Sequence, residues 1–304
     1  MDLYKLDKAK LEEIKNKPFR LERDIQNIFE QNLDSIFALQ LVKSEFIIKN
    51  KRIDTLAFDE TTKGFVIIEY KKDRNISIVD QGFAYLSLML ENKAEFIIEY
   101  NENLNKGLKR NEIDWSQCRV IFVAPSFTEN QKLSSDFQDI AIELWEVKKY
   151  ENDIIGINQI KKSSRESIKQ ISGKDESRKA VTREIKVFTE ADHMEKGSEE
   201  MIELYNEIKS RILELNEVEI SPTKFYIGFK LRKKVITDVE LQRKQLRIRI
   251  NLKKGQLDDP RNLFEDVSNK GHWGLGDYEA KINTTSDVDY LMSLIKQSYN
   301  FYSA

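Results

Sequence analysis

Three residues of this sequence have the types and spacing to do chemistry together: Asp54, Glu69 and Lys71. Asp54 lies in Arg52-Ile53-Asp54-Thr55-Leu56, and the apolar run Val66-Ile67-Ile68 ends in Glu69-Tyr70-Lys71. The intervening segment Asp59 to Gly64 has turn composition. A hairpin centred on the Thr61–Thr62 bond puts Asp54 directly opposite Glu69, with Cβ atoms roughly 5 Å apart. Glu69 and Lys71 share that face, because strand side chains alternate, while Ile68 and Tyr70 point the other way. A one-residue slip of register would separate the two acids. Two close carboxylates repel, and one protonates unless a cation joins them. A hard dication such as Mg²⁺ or Mn²⁺ takes such oxygen ligands and keeps waters for a substrate phosphate. It can activate water, polarise a phosphoryl group and steady the leaving oxygen. The Lys71 ammonium is then suited to orienting water and stabilising developing charge rather than to acting as base. The plainer reading of the three residues is a buried ion-pair network.

Asp54 followed by Glu69-x-Lys71 across an apolar strand resembles the PD-(D/E)xK nuclease superfamily, whose core is the restriction-endonuclease-like fold. The resemblance is nearest to the branch holding NucS-type and RecB-like nucleases. There an Arg-Ile-Asp tripeptide precedes an apolar strand ending in Glu-x-Lys, and a helix with Gln and, four residues on, Tyr packs over the site. Asp80-Gln81-Gly82-Phe83-Ala84-Tyr85 stands in that place, with Gln81 and Tyr85 on one helix face. The resemblance implies metal ligation by Asp54 and Glu69, completed by a glutamate of the first helix. Glu22 is the choice, with Glu30 as the alternative. It implies a catalytic role for Gln81 and contacts to substrate from Arg52 and Tyr85. It covers about residues 18–150, with specific motifs only in 52–85. Ile53 stands where the family name has proline, a common variation.

The elements that must carry these residues follow from periodicity. Residues 19 to 42 read as a helix bearing Leu21, Ile25, Ile28, Phe29, Leu33 and Ile36. Strands are expected at Phe46–Ile48, Arg52–Phe58 and Phe65–Tyr70, a helix over 77–92, and strands near 95–100, 118–124 and 141–147, with a helix from about Thr128. Phe96-Ile97-Ile98-Glu99-Tyr100 repeats the look of the Glu69 strand. With Asn101 where a lysine would stand, Glu99 is read as structural, and Glu45 likewise. The sum is an α/β domain over 1–157, a mixed sheet flanked by helices. A polar connector is read over 158–191 and a smaller α+β domain over 192–304. The latter has a helix over 198–215, strands Lys224–Leu231, Lys234–Leu241 and Leu246–Leu252, one more strand, and a closing helix from about Ser286.

The chain has 304 residues and a formal net charge of -2, so global charge does not point to a nucleic-acid partner. The single cysteine, Cys118, excludes an internal disulfide and fits a reducing compartment; it is read as structural. No signal peptide is visible and no apolar run is long enough to span a bilayer, so a soluble, cytoplasmic protein without a membrane partner is expected. With two histidines, His193 and His272, and one cysteine, zinc is not expected. In the smaller domain the basic stretch Lys224–Lys254 could neutralise phosphates, with Arg247 and Arg249 on the exposed face and Tyr226 on an exposed parity; a merely solvated sheet face is the plainer reading. This half also resembles an uncharacterised domain found behind such nuclease modules, in proteins labelled "predicted transport protein". Its residues do not support that label. Gly271-His272-Trp273-Gly274 reads as a loop anchored by its Trp. The functional expectation is a metal-dependent nuclease acting on DNA in repair or defence, where a homodimer would suit the cutting of both strands. The alternative is a nuclease-like fold that binds nucleic acid, or regulates, without cutting.

Overall fold

The computed structural model describes residues 3–72, 77–164, 166, 176–270 and 275–303. The loop Gly271–Gly274 with His272, and most of the polar stretch 165–175, lie outside the described residues. The chain divides into two compact units, Met1–Val187 and Phe188–Ala304. Among the described residues, no helix is long and apolar enough to cross a membrane.

The first unit opens with a small hairpin, β1 (Leu3–Asp7) and β2 (Lys10–Ile14), then β3 (Asn16–Lys17), α1 (Glu22–Glu30), α2 (Leu33–Phe37), β4 (Gln40–Ile48), β5 (Lys51–Asp59) and β6 (Gly64–Tyr70). There follow α3 (Ile78–Glu91), α4 (Lys93–Leu104), β7 (Arg119–Ala124), α5 (Glu129–Ser135), β8 (Ile142–Tyr150), β9 (Ile155–Ile160) and α6 (Glu176–Glu184). The main sheet runs β3-β8-β7-β6-β5-β4, with β9 also on β8. It is mixed, because β6, β7 and β8 are parallel and the remaining pairings antiparallel.

Alternation along the central strands feeds two cores. Val66, Ile68 and Tyr70 join Ile25, Phe29 and Leu33 of the first two helices, while Phe65 and Ile67 join Phe83, Leu86 and Phe96 of the next two. The sheet is thus covered on both faces, as central strands with near-continuous apolar runs require. The turn from β5 to β6 is closed by Asp59, whose Oδ1 accepts from the N–H groups of Thr61 and Thr62. That turn fixes the register, and Thr55 pairs with Ile68, Leu56 with Ile67 and Ala57 with Val66.

Three expectations change. Residues 95–100 are not a strand but lie in α4: Phe96, Ile97 and Tyr100 are buried while Ile98 is 53% exposed, a helical spacing that a six-residue apolar run conceals. The helix read over 19–42 is two short ones, broken at Gln31–Asn32 and ended by Ala38 in the left-handed region, and β4 begins at Gln40. Leu21, placed on its apolar face, caps α1 and is exposed. Within the stretch read as a connector, β9 runs to Ile160, and Val181 and Ile185 are buried in the core shared with α3.

The second unit holds α7 (Glu190–Met194), α8 (Glu199–Leu213), β10 (Val218–Pro222), β11 (Ile227–Leu231), β12 (Lys234–Leu241), β13 (Leu246–Ile250), β14 (Glu265–Asp266), β15 (Tyr278–Ile282) and α9 (Val288–Ser303). Its antiparallel sheet, ordered β10-β11-β12-β13-β15-β14, packs on α8 and α9. Here the expected basic face is corrected. Arg249 is only 3% exposed and bonds Asp238, Glu240 and Glu279 from the two neighbouring strands, at 2.8, 2.8 and 3.1 Å. Arg247 engages Glu240 and Glu279. Tyr226 is buried, because it sits in a turn with Thr223 ahead of β11, where strand alternation does not apply.

Two stability outcomes follow. Gly82 lets α3 lie close on the sheet: a Cβ there would meet Ile142 Cδ1 at 2.4 Å. Gly82→Ala is expected to cost about 1 kcal/mol net, overpacking outweighing the gain in helix propensity. Adding Ile142→Val, which removes the offending methyl, should shrink that loss in chemical denaturation; equal losses in both backgrounds would refute the contact. Arg249→Ala is expected to cost about 3–5 kcal/mol by stranding buried carboxylates, against about 1 kcal/mol or less for Arg247→Ala. Equal, small losses would place Arg249 at the surface.

Candidate functional site

At the open end of the β5–β6 hairpin the ladder stops at Thr55 and Ile68, and side chains take over. The backbone N–H of Asp54 donates to Glu69 Oε1 at 3.2 Å, and the N–H of Tyr70 donates to Asp54 Oδ2 at 3.1 Å. Each carboxylate holds the main chain of the opposite strand, so neither is free to swing away. Lys71 Nζ meets Glu69 Oε2 at 3.1 Å, and the Lys71 N–H is tied to the Val123 carbonyl of β7. The hairpin thus brings Asp54, Glu69 and Lys71 together, with Glu69 only 2% exposed.

Burial raises the pKa of Glu69 above the usual carboxylate range, and the charge of Asp54 raises it further, while Lys71 and Tyr85 pull against them. Asp54 is raised as well, first by burial, with the Tyr70 N–H and Lys71 opposing and Glu45 adding repulsion. Both shifts report one situation: negative charge held away from water with too little positive charge beside it.

The α3 helix closes over this pair. Gln81 Nε2 donates to the Tyr85 hydroxyl at 3.2 Å, and that hydroxyl lies within reach of the Glu69 carboxylate and, at 3.4 Å, of the Arg52 carbonyl. Burial keeps the Tyr85 phenol protonated and therefore a donor. The Oε1 of Gln81 is buried without a hydrogen-bond partner among the described residues. Arg52 pairs with Glu45 at 3.1 Å, and its charge also bears on Asp54.

The first-helix glutamates each hold another partner. Glu22 is exposed at the start of α1, and its Oε1 accepts from the Lys72 N–H at 2.8 Å, so it secures the chain just after Lys71. Glu30 accepts from Thr55 Oγ1 at 2.5 Å, and Thr55 also meets the Tyr70 hydroxyl, on the opposite face of the hairpin. Glu99 pairs with Lys43, and Cys118 is buried with its thiol pushed up to about 12. Sequence reasoning missed Gln26. Its Nε2 donates to the Asp54 carbonyl at 2.9 Å from inside the apolar stripe Ile25–Phe29, fixing the acid from behind. An amide buried in an apolar helix stripe was the available signal.

Among the described residues no group of three or more His, Cys, Asp or Glu side chains gathers as a ready-made metal centre. The donor set at the hairpin end nevertheless fits a hard dication. Glu69, buried, and Asp54, half-buried, supply two carboxylates whose raised pKa values mark a shortage of positive charge, and the unpartnered Gln81 oxygen lies in the helix over them.

Comparison with known proteins bears on the whole chain. An uncharacterized protein of Haemophilus influenzae is 49% identical over 300 residues, spanning 98% of this chain and 99% of that one. The chain belongs to that protein's family. Residues 190–302 match a domain of unknown function, DUF5655. Two solved structures resemble part of the chain. The crystal structure of a repair endonuclease from Pyrococcus abyssi is 19% identical, with a TM-score of 0.23, over 40% of this chain and 44% of that one. The structure of an EndoMS-dsDNA complex is 17% identical, with a TM-score of 0.27, over 44% and 59%. This chain therefore spans less than two thirds of either structure, and such partial likenesses assign no residue a role.

If Asp54 and Glu69 ligate a dication, millimolar Mn²⁺ raises the Tm of the wild-type protein above its value in EDTA, because a ligand of the folded state stabilises it. The rise is expected to vanish in Asp54→Asn and Glu69→Gln and to persist in Glu22→Gln, whose oxygen is occupied by Lys72. An equal rise in all of these proteins would locate the metal elsewhere.

Proposed function

We propose that the first unit is a metal-dependent nuclease that hydrolyses phosphodiester bonds in nucleic acid, with DNA as the substrate, in repair or defence. The observation that carries the reading is the pair of carboxylates, Glu69 buried and Asp54 half-buried, facing each other from adjacent strands with the Lys71 ammonium on one of them. A structural network has no evident use for this arrangement, because two acids share one contacting ammonium, Arg52 acting on Asp54 only through its charge. In this reading Asp54 and Glu69 would hold Mg²⁺ or Mn²⁺. When bound, such an ion lowers the pKa of water and neutralises phosphoryl oxygens.

The chain's own groups have separable tasks. Lys71, tethered by its backbone to β7, stands where charge builds on the phosphoryl oxygens as water adds to phosphorus and the bond to the leaving oxygen breaks. Tyr85, kept protonated by burial, fixes the Glu69 carboxylate, and Gln81 holds Tyr85 in that orientation. Gln26 and the Tyr70 N–H fix Asp54 from two directions.

Incubating the full chain with plasmid and with single-stranded DNA, in Mn²⁺ or in EDTA, tests the reading. Cleavage is expected only with the metal. It should be lost in Asp54→Ala and Lys71→Ala without loss of fold, and fall by roughly ten- to a hundredfold in Tyr85→Phe, in line with losses on removing a supporting partner of a metal ligand. Full cutting by either alanine variant would overturn this mechanism. Binding without cutting in Mn²⁺ would return the protein to a nuclease-like scaffold that holds nucleic acid.

A further inference from the structure

Two cavities, about 350 and 660 Å³, adjoin along Lys17, Pro18, Phe19 and Lys149, which line both, and together make one groove. Its inner end is lined by Lys72, the residue after Lys71, together with Pro125 and Lys148, and its outer end by Arg20. The groove follows the carboxyl ends of the parallel strands β6, β7 and β8 and ends on β3, the side of such a sheet where ligands bind.

Its charge is unbalanced in a way the fold does not resolve. Lys17 and Lys149 are direct cross-strand partners in the β3–β8 pairing, and like charges placed opposite one another destabilise a sheet. The side chains of Lys17, Arg20, Lys72, Lys148 and Lys149 form no ion pair among the described residues. In the same unit Lys93, Lys106 and Lys132 each rest on a carboxylate. Asp24, the acidic residue in the wall, accepts from the Leu21 N–H at its helix start.

We propose that this groove carries the phosphate backbone of one nucleic-acid strand away from the site, with Lys72 nearest the reacting bond and Lys17, Lys148, Lys149 and Arg20 neutralising successive phosphates. The proposal deepens the nuclease reading and rests on it for the choice of ligand. From β6 to β8 is two interstrand spacings, roughly 10 Å. At 3.4 Å of rise per nucleotide along a strand, that is about three nucleotides. Strand recognition through the backbone alone is sequence-tolerant and salt-dependent.

The test is fluorescence anisotropy of a labelled single-stranded DNA oligonucleotide with the full chain in EDTA, where binding is read without cleavage, over a range of salt. Lys17→Gln with Lys149→Gln is expected to weaken binding on the order of tenfold at moderate salt and to lower the slope of log affinity against log salt by about 1.4, two phosphates' worth. Lys244→Gln, exposed in the second unit, should leave both unchanged. Melting curves establish that the variants are folded, and Arg20→Gln with Lys148→Gln gives a second pair should the first be unstable. Unchanged affinity and slope in the folded pair overturn the groove, as does displacement of DNA by polyglutamate at equal charge concentration. Weakened binding in a protein that never cuts in Mn²⁺ supports the groove and sinks the nuclease reading. Metal-dependent cutting with binding untouched by the substitutions sinks the groove and leaves the nuclease.

Discussion

The first unit is organised around one electrostatic constraint: two carboxylates from adjacent strands, one buried and one half-buried, held beside each other with a single ammonium in contact. Asp54 and Glu69 do not approach by accident of rotamer. Each accepts a backbone N–H of the other strand, at the point where the ladder would otherwise have continued. The main-chain bonds that the sheet forgoes there are replaced by charge-assisted ones, which are stronger than neutral bonds. The cost is concentrated negative charge in a poorly solvated place, and it appears in both acids as a pKa raised by burial. A site that invites a cation and a site that strains without one are the same site.

The surrounding scaffold meets that constraint from several sides. The Asp59 turn fixes the hairpin register. Behind Asp54, Gln26 of α1 holds its carbonyl, and in front Gly82 lets α3 sit low enough for Tyr85 to reach Glu69. The parallel neighbour β7 anchors Lys71 through its backbone. Two helical layers thus act on one pair of side chains, and the apolar cores on either face of the sheet keep those layers in place.

How much of this was legible in the sequence depended on the range over which each signal acts. The hairpin register could be read, because an Asx-type turn and two alternating strands specify it locally. Asp54, Glu69 and Lys71 could be gathered from strand alternation and register, whereas Gln81 and Tyr85 were pointed to by the family resemblance. Gln26 carried a signal, an amide inside an apolar helix stripe, but not the identity of its partner, a main-chain carbonyl distant in sequence. The 95–100 segment misled because a short apolar run carries no period long enough to separate strand from helix. Glu22 and Glu30 both lie on α1, and only the path of the chain after Lys71 decides that one meets the Lys72 N–H and the other Thr55. In the second unit, parity along β13 correctly put Arg247 and Arg249 on one face, yet parity says nothing of charge on flanking strands. Asp238, Glu240 and Glu279 turn what looked like a basic surface into an ion-pair cluster around the buried Arg249.

The central claim, that the hairpin end cradles a dication, is tested most directly by anomalous diffraction from crystals soaked in Mn²⁺. The account predicts a manganese peak between the carboxylates of Asp54 and Glu69, within direct coordination distance of both. Manganese bound only at other acidic residues, with the Asp54–Glu69 pair retaining its contacts to the Tyr70 and Asp54 N–H groups and no ion between them, would contradict it.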